Sequence, residues 1–121
     1  MLECIAVGAG GFIGAVCRYL IGLIPLNTSS SFPVKTFVIN IVGSFLIGMI
    51  AAMAVKDHSF NSRLVLFLKV GICGGFTTFS SFALETGYLM ENGNTAIALL
   101  YAVLSVIIGV LAVFAGQEMV R

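Results

Sequence analysis

The sequence predicts an all-α membrane protein in which each chain contributes four transmembrane helices. Of its 121 residues, 60% are hydrophobic and only 9% are charged, whereas a soluble domain carries about 25% charged residues. The mean hydropathy is +1.14, and a soluble fold of this length has too little interior to bury so much apolar surface. The few charges also divide the chain into four long apolar runs. Lipid is therefore the expected solvent for most of these side chains.

The first two apolar runs predict spans at about residues 2–24 and 34–55. The first run is apolar apart from Arg18 and from Glu3 at its mouth. No basic region precedes it, so we expect no cleaved signal peptide and interpret the segment as a retained span. The second run has no charged residue between positions 36 and 55. At about 1.5 Å per residue, such a helix covers roughly 30 Å, the thickness of a hydrocarbon core.

The last two apolar runs predict spans at about residues 64–90 and 94–118, within a single domain of residues 1–121. The third run contains Lys69 and Glu85 and is the least regular, whereas the fourth has no charge before its final residue. Backbone groups in lipid must be satisfied internally, so spans of this length are expected to be helices. The runs lack the alternating polarity of barrel strands.

Small residues recur at steps of three and four in the first and fourth spans, which lets helices approach closely in lipid. Four spans enclose a water-filled pathway poorly, so we expect an oligomer. The Lys and Arg bias between the two sides is slight, and such a chain can insert in either orientation. The two small-residue series are Gly8, Gly11, Ala15 and Gly22, and Ala98, Ala102, Ser105, Gly109, Ala112 and Gly116.

Composition also excludes several classes of function. The formal net charge is +1 and the six Lys and Arg residues do not cluster, so no nucleic-acid partner is expected. The three cysteines lie in apolar runs without Cys/His spacing, which argues against a disulfide scaffold or a side-chain metal site. No set of nucleophile and base is visible, so the chain is not expected to be an enzyme.

The most informative stretch is Gly71–Phe82 in the third span, which reads GICGGFTTFSSF. Adjacent glycines are a poor helix interior, and the hydroxyl residues after them compete for backbone hydrogen bonds. Together they predict a break in the third helix. An irregular backbone at this depth is tolerated only inside protein or beside a cavity. Freed carbonyls there can coordinate a cation and half-helix N-termini can face an anion; the alternative is a glycine kink that serves packing alone.

Aromatic and amide side chains offer two further candidates for an ion pathway. Phe79 and Phe82 are three residues apart and share a helix face, where their partly positive edges could receive an anion. The alternative is ordinary contact with lipid or core. Thr36, Asn40 and Ser44 form a polar stripe on the second span. The Asn40 amide could donate to a passing anion, or it could hydrogen-bond to a neighbouring helix.

Two charged residues within the spans also require an explanation. Arg18 could snorkel to the surface, bind a carbonyl or draw anions into a vestibule. Glu85 could relay protons or close a hydrogen-bond network. Tyr101 and Ser105 add hydroxyls four residues apart on the fourth helix.

The chain resembles the Fluc fluoride-channel family, also called CrcB, in order over nearly its whole length. Three motifs carry the resemblance, one in each of the first three spans, and the third is the most specific. They are GGFIGAVCRY at residues 10–19, TFVINIVGSF at residues 36–45, and Gly71–Phe82 followed by Glu85.

The resemblance implies a fluoride-selective passive channel that exports cytoplasmic fluoride across a bacterial inner membrane and so lowers its toxicity. It implies an antiparallel, dual-topology homodimer with two pores along the interface. It also implies a structural sodium ion at the dimer centre, bound by main-chain oxygens of Gly74 and Thr77. Phe79, Phe82 and Asn40 match the family's pore residues. Arg18 matches its vestibule arginine, and the residues near its polar track are Thr36, Ser81, Glu85, Thr86, Tyr101 and Ser105.

Three departures from the family pattern concern the pathway. Ser81 stands where Thr is usual, which keeps the hydroxyl. Gly109 stands where a second Ser is common, so that end of the track lacks a donor or uses water. Lys69 is a charge where a small or hydroxyl residue is expected, and it either snorkels or alters the vestibule field.

Two other functions compete with the channel hypothesis. Small multidrug exporters also have four spans, but they require a membrane-embedded carboxylate for proton coupling. The first span has only Glu3 at its mouth, and Glu85 lies in a different helix from the one expected. A non-conducting assembly subunit built on the small-residue faces is the second alternative.

Overall fold

The computed structural model describes residues 1–26 and 29–121, and every regular element in these ranges is helical. Four stretches of the described residues are long and apolar enough to cross a membrane, so the prediction of an all-helical chain with four spans is confirmed. The elements are α1 (Leu2–Gly22), α2 (Val34–Lys56), α3 (Ser62–Val65), a π-helical segment (Leu66–Cys73), α4 (Gly74–Phe76), α5 (Phe79–Glu91) and α6 (Thr95–Val120).

The first helix ends at Gly22, slightly before the position predicted from the sequence. The N–H groups of Leu23 and Ile24 donate to carbonyls three residues back, which tightens the final turn. Pro25 follows and cannot continue a helical ladder.

The third span, Ser62–Glu91, is the least regular of the four, as its composition indicates. Thr77 has φ −80° and ψ 159°, and Thr78 has φ −149° and ψ 123°, so both are extended between α4 and α5. Gly74 itself is helical, with φ −63° and ψ −39°. The extended residues therefore follow the glycine pair, although the glycines are the stronger sequence signal for irregular backbone.

Glycines bring α1 into backbone contact with the third span. Gly10 and Gly14 are buried, and a Cβ atom at either would collide with a carbonyl oxygen, of Phe67 or Ile72 respectively. Of the predicted series, Gly11 also belongs to this contact, because a Cβ atom at Gly75 would collide with its carbonyl. Gly8, by contrast, is exposed and has open space around it.

The second and fourth spans form the most regular pair of helices in the structure. A Cβ atom at Gly48 would collide with the Val113 carbonyl, and one at Gly116 with the Phe45 carbonyl, so the two backbones lie in close contact. Small residues of the predicted α6 series, among them Ala112, are buried against α2. This pair of uninterrupted helices lies beside the irregular third span.

The buried core is small, and many large apolar side chains are exposed. Its centre consists of Leu89, Ala98 and Tyr101, which are 7%, 0% and 0% exposed. Phe12 and Phe114, by contrast, lie mostly on the surface. This distribution suits a chain whose surroundings are lipid or another protein rather than water.

Lysines close two helix C-termini, one at each end of the bundle. The Lys35 Nζ donates to the Gly22 carbonyl at the end of α1, and the Lys56 Nζ donates to the Val120 carbonyl at the end of α6, both at 2.8 Å. Cations are favourable at these negative dipole ends. The two ends of the bundle therefore carry similar positive groups, as the slight charge bias of the sequence indicates.

Candidate functional site

The candidate site is organised around the extended backbone at Thr78. Asn40 of α2 forms two hydrogen bonds with this one residue. Its Oδ1 accepts from the Thr78 N–H at 2.8 Å and its Nδ2 donates to the Thr78 carbonyl at 3.0 Å. Backbone groups outside a helix require such partners at membrane depth. An amide nitrogen carries two N–H donors, so Asn40 retains one for a further acceptor.

The two threonines end one helix and begin the next. The Thr77 hydroxyl donates to the Cys73 carbonyl at 2.8 Å, and the Thr78 Oγ1 accepts from the Ser81 N–H at 3.1 Å as the N-cap of α5. Gly43 of α2 leaves room for the Thr77 methyl group, with which a Cβ atom would collide. These contacts hold the extended pair in one conformation.

Two main-chain oxygens at this site lack the partners of a continuous helix. In an α-helix the N–H of Thr78 would donate to the Gly74 carbonyl, but here it donates to the Asn40 Oδ1 instead. Among the described residues, no side chain donates to the carbonyl of Gly74 or of Thr77. In the same ranges no cluster of His, Cys, Asp or Glu could hold a metal ion. A cation at this position would therefore depend on carbonyl oxygens.

One cavity of about 360 Å³ lies beside the extended pair and is lined by uncharged side chains. Phe79 is 79% exposed, so this neutral cavity is a groove in the surface of the chain. The rings of Phe79 and Phe82 are 5.8 Å apart between centroids and tilted by 51°. The Ser105 hydroxyl is buried and has no partner in the described part of the chain. The lining of this neutral cavity includes Asn40, Thr78, Phe79, Phe82 and Ser105.

A second cavity of about 470 Å³ carries charge and also reaches Thr78. Arg18 lines it and donates from Nε to the Gly75 carbonyl at 3.2 Å, which is the carbonyl contact that the sequence allowed for this side chain. Lys35 adds a second cation and Glu85 a carboxylate. The lining of this charged cavity includes Arg18, Lys35, Thr36, Thr78, Ser81 and Glu85.

Glu85 joins three spans through its two carboxylate oxygens. The Thr36 hydroxyl of α2 donates to Oε2 at 2.9 Å, and the Tyr101 hydroxyl of α6 lies 3.3 Å from Oε1. Both oxygens therefore have partners, as a hydrogen-bond network requires. Tyr101 is fully buried and borders neither cavity, so it reaches the site only through its neighbours.

Three residues that the sequence analysis linked to the ion pathway lie apart from this arrangement. The Thr86 hydroxyl donates to the Phe82 carbonyl of its own helix at 2.7 Å and borders neither cavity. Lys69 is exposed on the π-helical segment and forms no ion pair among the described residues. Gly109 faces Ser44, whose Oγ would be 3.8 Å from an added Cβ.

One residue beside the site carried no sequence signal. Phe32 lies in the loop before α2, outside all three motifs, and its ring centroid is 5.3 Å from that of Tyr101. A single aromatic residue in a connecting loop has no periodicity that would indicate this contact. Only the packing of α6 against the loop reveals it.

Comparisons with known proteins match the chain over almost its full length. A family model described as "CrcB-like protein, Camphor Resistance (CrcB)" matches residues 5–117. A relative from Ruminiclostridium cellulolyticum is 43% identical over 100% of this chain and 94% of its own length. Another from Chlorobaculum tepidum is 43% identical over 100% and 96%. A third from Nitrobacter winogradskyi is 45% identical over 97% and 94%. Each of the three is named "Fluoride-specific ion channel FluC".

Proposed function

The chain belongs to the CrcB-like protein family, and on that premise we propose that it is a fluoride-selective passive channel. As a multi-pass membrane protein of this family, it exports cytoplasmic fluoride and so lowers the toxicity of fluoride to the cell. Passive conduction breaks no covalent bond, and the chain is not an enzyme. The structural observation that carries the proposal is the neutral cavity, where hydrogen-bond donors and aromatic edges lie together without a fixed charge.

Fluoride is a small and strongly hydrated anion, so a selective route must replace its water with donors. The free N–H of Asn40 is such a donor in the neutral cavity, and the unpartnered hydroxyl of Ser105 is buried in the residue layer that lines it. Phe79 and Phe82 supply aromatic edges, which attract an anion weakly. Neutral donors bind a passing ion less tightly than a cationic side chain would, so the ion can leave as well as enter.

The charged cavity serves to collect anions before they reach the neutral one. Arg18 and Lys35 outnumber the carboxylate of Glu85 in its lining, and an excess of positive charge raises the local anion concentration. Thr78 borders both cavities, so fluoride passes from one to the other beside the Asn40–Thr78 pair. Ser81 supplies a hydroxyl along the charged part of the route, whereas the Thr36 hydroxyl there is already donated to Glu85.

A second copy of the chain closes the route in this proposal. Phe79 is 79% exposed on a groove lined by uncharged side chains. Water along that groove would compete with the donors of the protein for the fluoride ion. An antiparallel, dual-topology homodimer fits the similar ends of the bundle, where Lys35 and Lys56 cap one helix each. The expected location is the bacterial inner membrane.

The interruption at Thr77 and Thr78 corresponds, in this proposal, to the broken third helix of the family. Gly74 and Thr77 fit a sodium site because no side chain among the described residues donates to their main-chain oxygens, and hard cations prefer oxygen ligands. Two antiparallel copies would supply four such oxygens. When bound, the ion would balance these partial negative charges and hold the two copies together.

Fluoride efflux from liposomes that contain the purified protein tests the proposed function. With sodium present, a fluoride electrode should record fast passive release while a chloride electrode records none. Release of neither ion would contradict the proposal and favour a non-conducting assembly subunit. Uptake of a cationic dye driven by a proton gradient would instead support a multidrug exporter.

A further inference from the structure

An aromatic series connects the loop before α2 with the neutral cavity. Phe32 contacts Tyr101 edge to face, with centroids 5.3 Å apart and planes at 74°. Tyr101 contacts Phe82 in the same manner at 4.9 Å and 63°. Phe82 in turn lies 5.8 Å from Phe79. A change at one end of this series can therefore be transmitted to the rings that line the anion route.

Within the buried cluster it shares with Leu89 and Ala98, Tyr101 has three contacts that depend on its ring orientation, with Phe82, Glu85 and Phe32. Phe82 packs against the Tyr101 ring, and the Tyr101 hydroxyl points to Glu85 at 3.3 Å. Tyr101 is fully buried, so its ring has little freedom while all three contacts are present. Without the Phe32 ring, the face of Tyr101 towards the loop would lose its support.

The loop itself holds Phe32 in place. The Phe32 N–H donates to the Ser30 Oγ at 3.1 Å, and the Phe32 carbonyl accepts from the Val34 N–H at 2.8 Å. On its other side the ring contacts Phe37 of α2 at 5.4 Å and 70°. Besides its contact with Tyr101, Phe32 is therefore positioned by its own backbone and by Phe37 of α2.

Phe32 also borders a small cavity of about 210 Å³ that shares Lys35 and Glu85 with the charged cavity. Removing the ring would enlarge this space beside the Tyr101–Glu85 contact. Water admitted there would compete for the carboxylate and weaken the remaining constraint on Tyr101.

We propose that Phe32 is a positioning residue of the anion route, which orients the ring of Tyr101 and, through it, the ring of Phe82. The proposal rests on the proposed function of the chain as a fluoride channel. Phe32 borders neither the neutral nor the charged cavity, so its effect on conduction is indirect. If Phe32 only filled space, a side chain of similar volume would replace it without loss of conduction.

The first test is fluoride efflux from liposomes with Phe32→Leu, which keeps most of the volume but removes the aromatic edge. Phe60→Leu is the matched control, because Phe60 is also a half-buried loop phenylalanine and makes no ring contact with the series. Phe32→Leu should lower fluoride efflux about tenfold, as a displaced contact near a site can do. Phe60→Leu should leave it unchanged. Equal efflux in the wild type and Phe32→Leu, or an equal loss in both variants, would overturn the proposal.

The second test observes the Tyr101 ring directly by ¹⁹F NMR. The chain has three tyrosines, so a Tyr19→Phe, Tyr88→Phe background labelled with 3-fluorotyrosine reports Tyr101 alone. Adding Phe32→Leu should split or broaden its resonance, because a ring without that support samples more than one orientation, whereas adding Phe60→Leu should not. A single sharp line would overturn the proposal even if efflux fell. If the wild type conducts no fluoride, the proposed function fails, while a split line would still support the orientation of Tyr101 by Phe32.

Discussion

The neutral and the charged cavity meet at Thr78 but differ in the side chains that line them. The charged cavity contains Arg18, Lys35 and Glu85, whereas the neutral cavity has only uncharged side chains around Phe79. Charge attracts ions over a distance, but it distinguishes poorly between anions of equal charge. Fixed donors and narrow aromatic contacts act only at close range and depend on ion size. The difference suggests that one cavity collects anions and the other selects among them.

The strongest test of this division of roles between the two cavities removes the Asn40 side chain, which binds Thr78 where the cavities meet. Asn40→Ala deletes both hydrogen bonds to Thr78 and leaves a backbone N–H unsatisfied, at a cost of about 1–3 kcal/mol. We expect fluoride efflux from liposomes to fall by about a hundredfold or more, since a donor and the backbone geometry are lost together.

Asn61→Ala is the matched control for this variant. Asn61 also accepts from a backbone N–H, that of Arg63 at 2.8 Å, but at the exposed start of α3. Fluoride efflux through the Asn61→Ala variant should remain normal. Wild-type efflux in Asn40→Ala would show that the pair at Thr78 does not control passage.

A somewhat smaller effect is expected inside the neutral cavity. Phe79→Ile and Phe82→Ile keep apolar bulk but remove the aromatic edge, and each should slow fluoride efflux roughly tenfold or more while the oligomer stays intact. Phe114→Ile on the exposed side of α6 serves as control. Size-exclusion chromatography in detergent would verify assembly. Normal efflux in both pore variants would remove the phenylalanines from the proposed route.

A substitution in the charged cavity should change fluoride efflux differently, through the electrostatic field of its charged side chains. Arg18→Gln removes a cation but keeps a donor for the Gly75 carbonyl. Efflux should fall about threefold at low ionic strength, and the loss should largely disappear near 1 M salt, where the screening length is about 3 Å. Arg63→Gln, an exposed arginine elsewhere, should show no such dependence. A loss that is independent of salt would mean that Arg18 acts through its carbonyl contact.

The smallest effect is expected at Gly109, where the family commonly has a serine. An added Cβ would lie 3.8 Å from the Ser44 Oγ, an ordinary contact, so Gly109→Ser should assemble normally and change efflux by less than about twofold. Gly116→Ser on the same helix is the contrasting variant, because its Cβ would collide with the Phe45 carbonyl. It should lower thermal stability in detergent. A stable Gly116→Ser protein would argue against the close contact of α2 and α6.

Much of this architecture follows from composition because lipid imposes strong rules. Long apolar runs with few charges require helices that satisfy their own backbone, so the four spans could be predicted without a structure. The polar residues of the spans could also be identified from the sequence, since Asn40, Arg18 and Glu85 are costly in lipid without a partner. What each of them contacts could not be predicted, because several partners were chemically equivalent.

The sequence by itself determined that this chain is a four-span helical membrane protein and which polar residues its spans must accommodate. The tertiary structure alone decided that the extended residues are Thr77 and Thr78 rather than the preceding glycines. Asn40 lies 38 residues from Thr78 along the chain, and its amide replaces the helical partners of that residue. Packing also decided that Phe32 reaches Tyr101 and that the Thr86 hydroxyl turns to its own helix. Local sequence cannot specify such contacts, because they depend on how separate helices dock against one another.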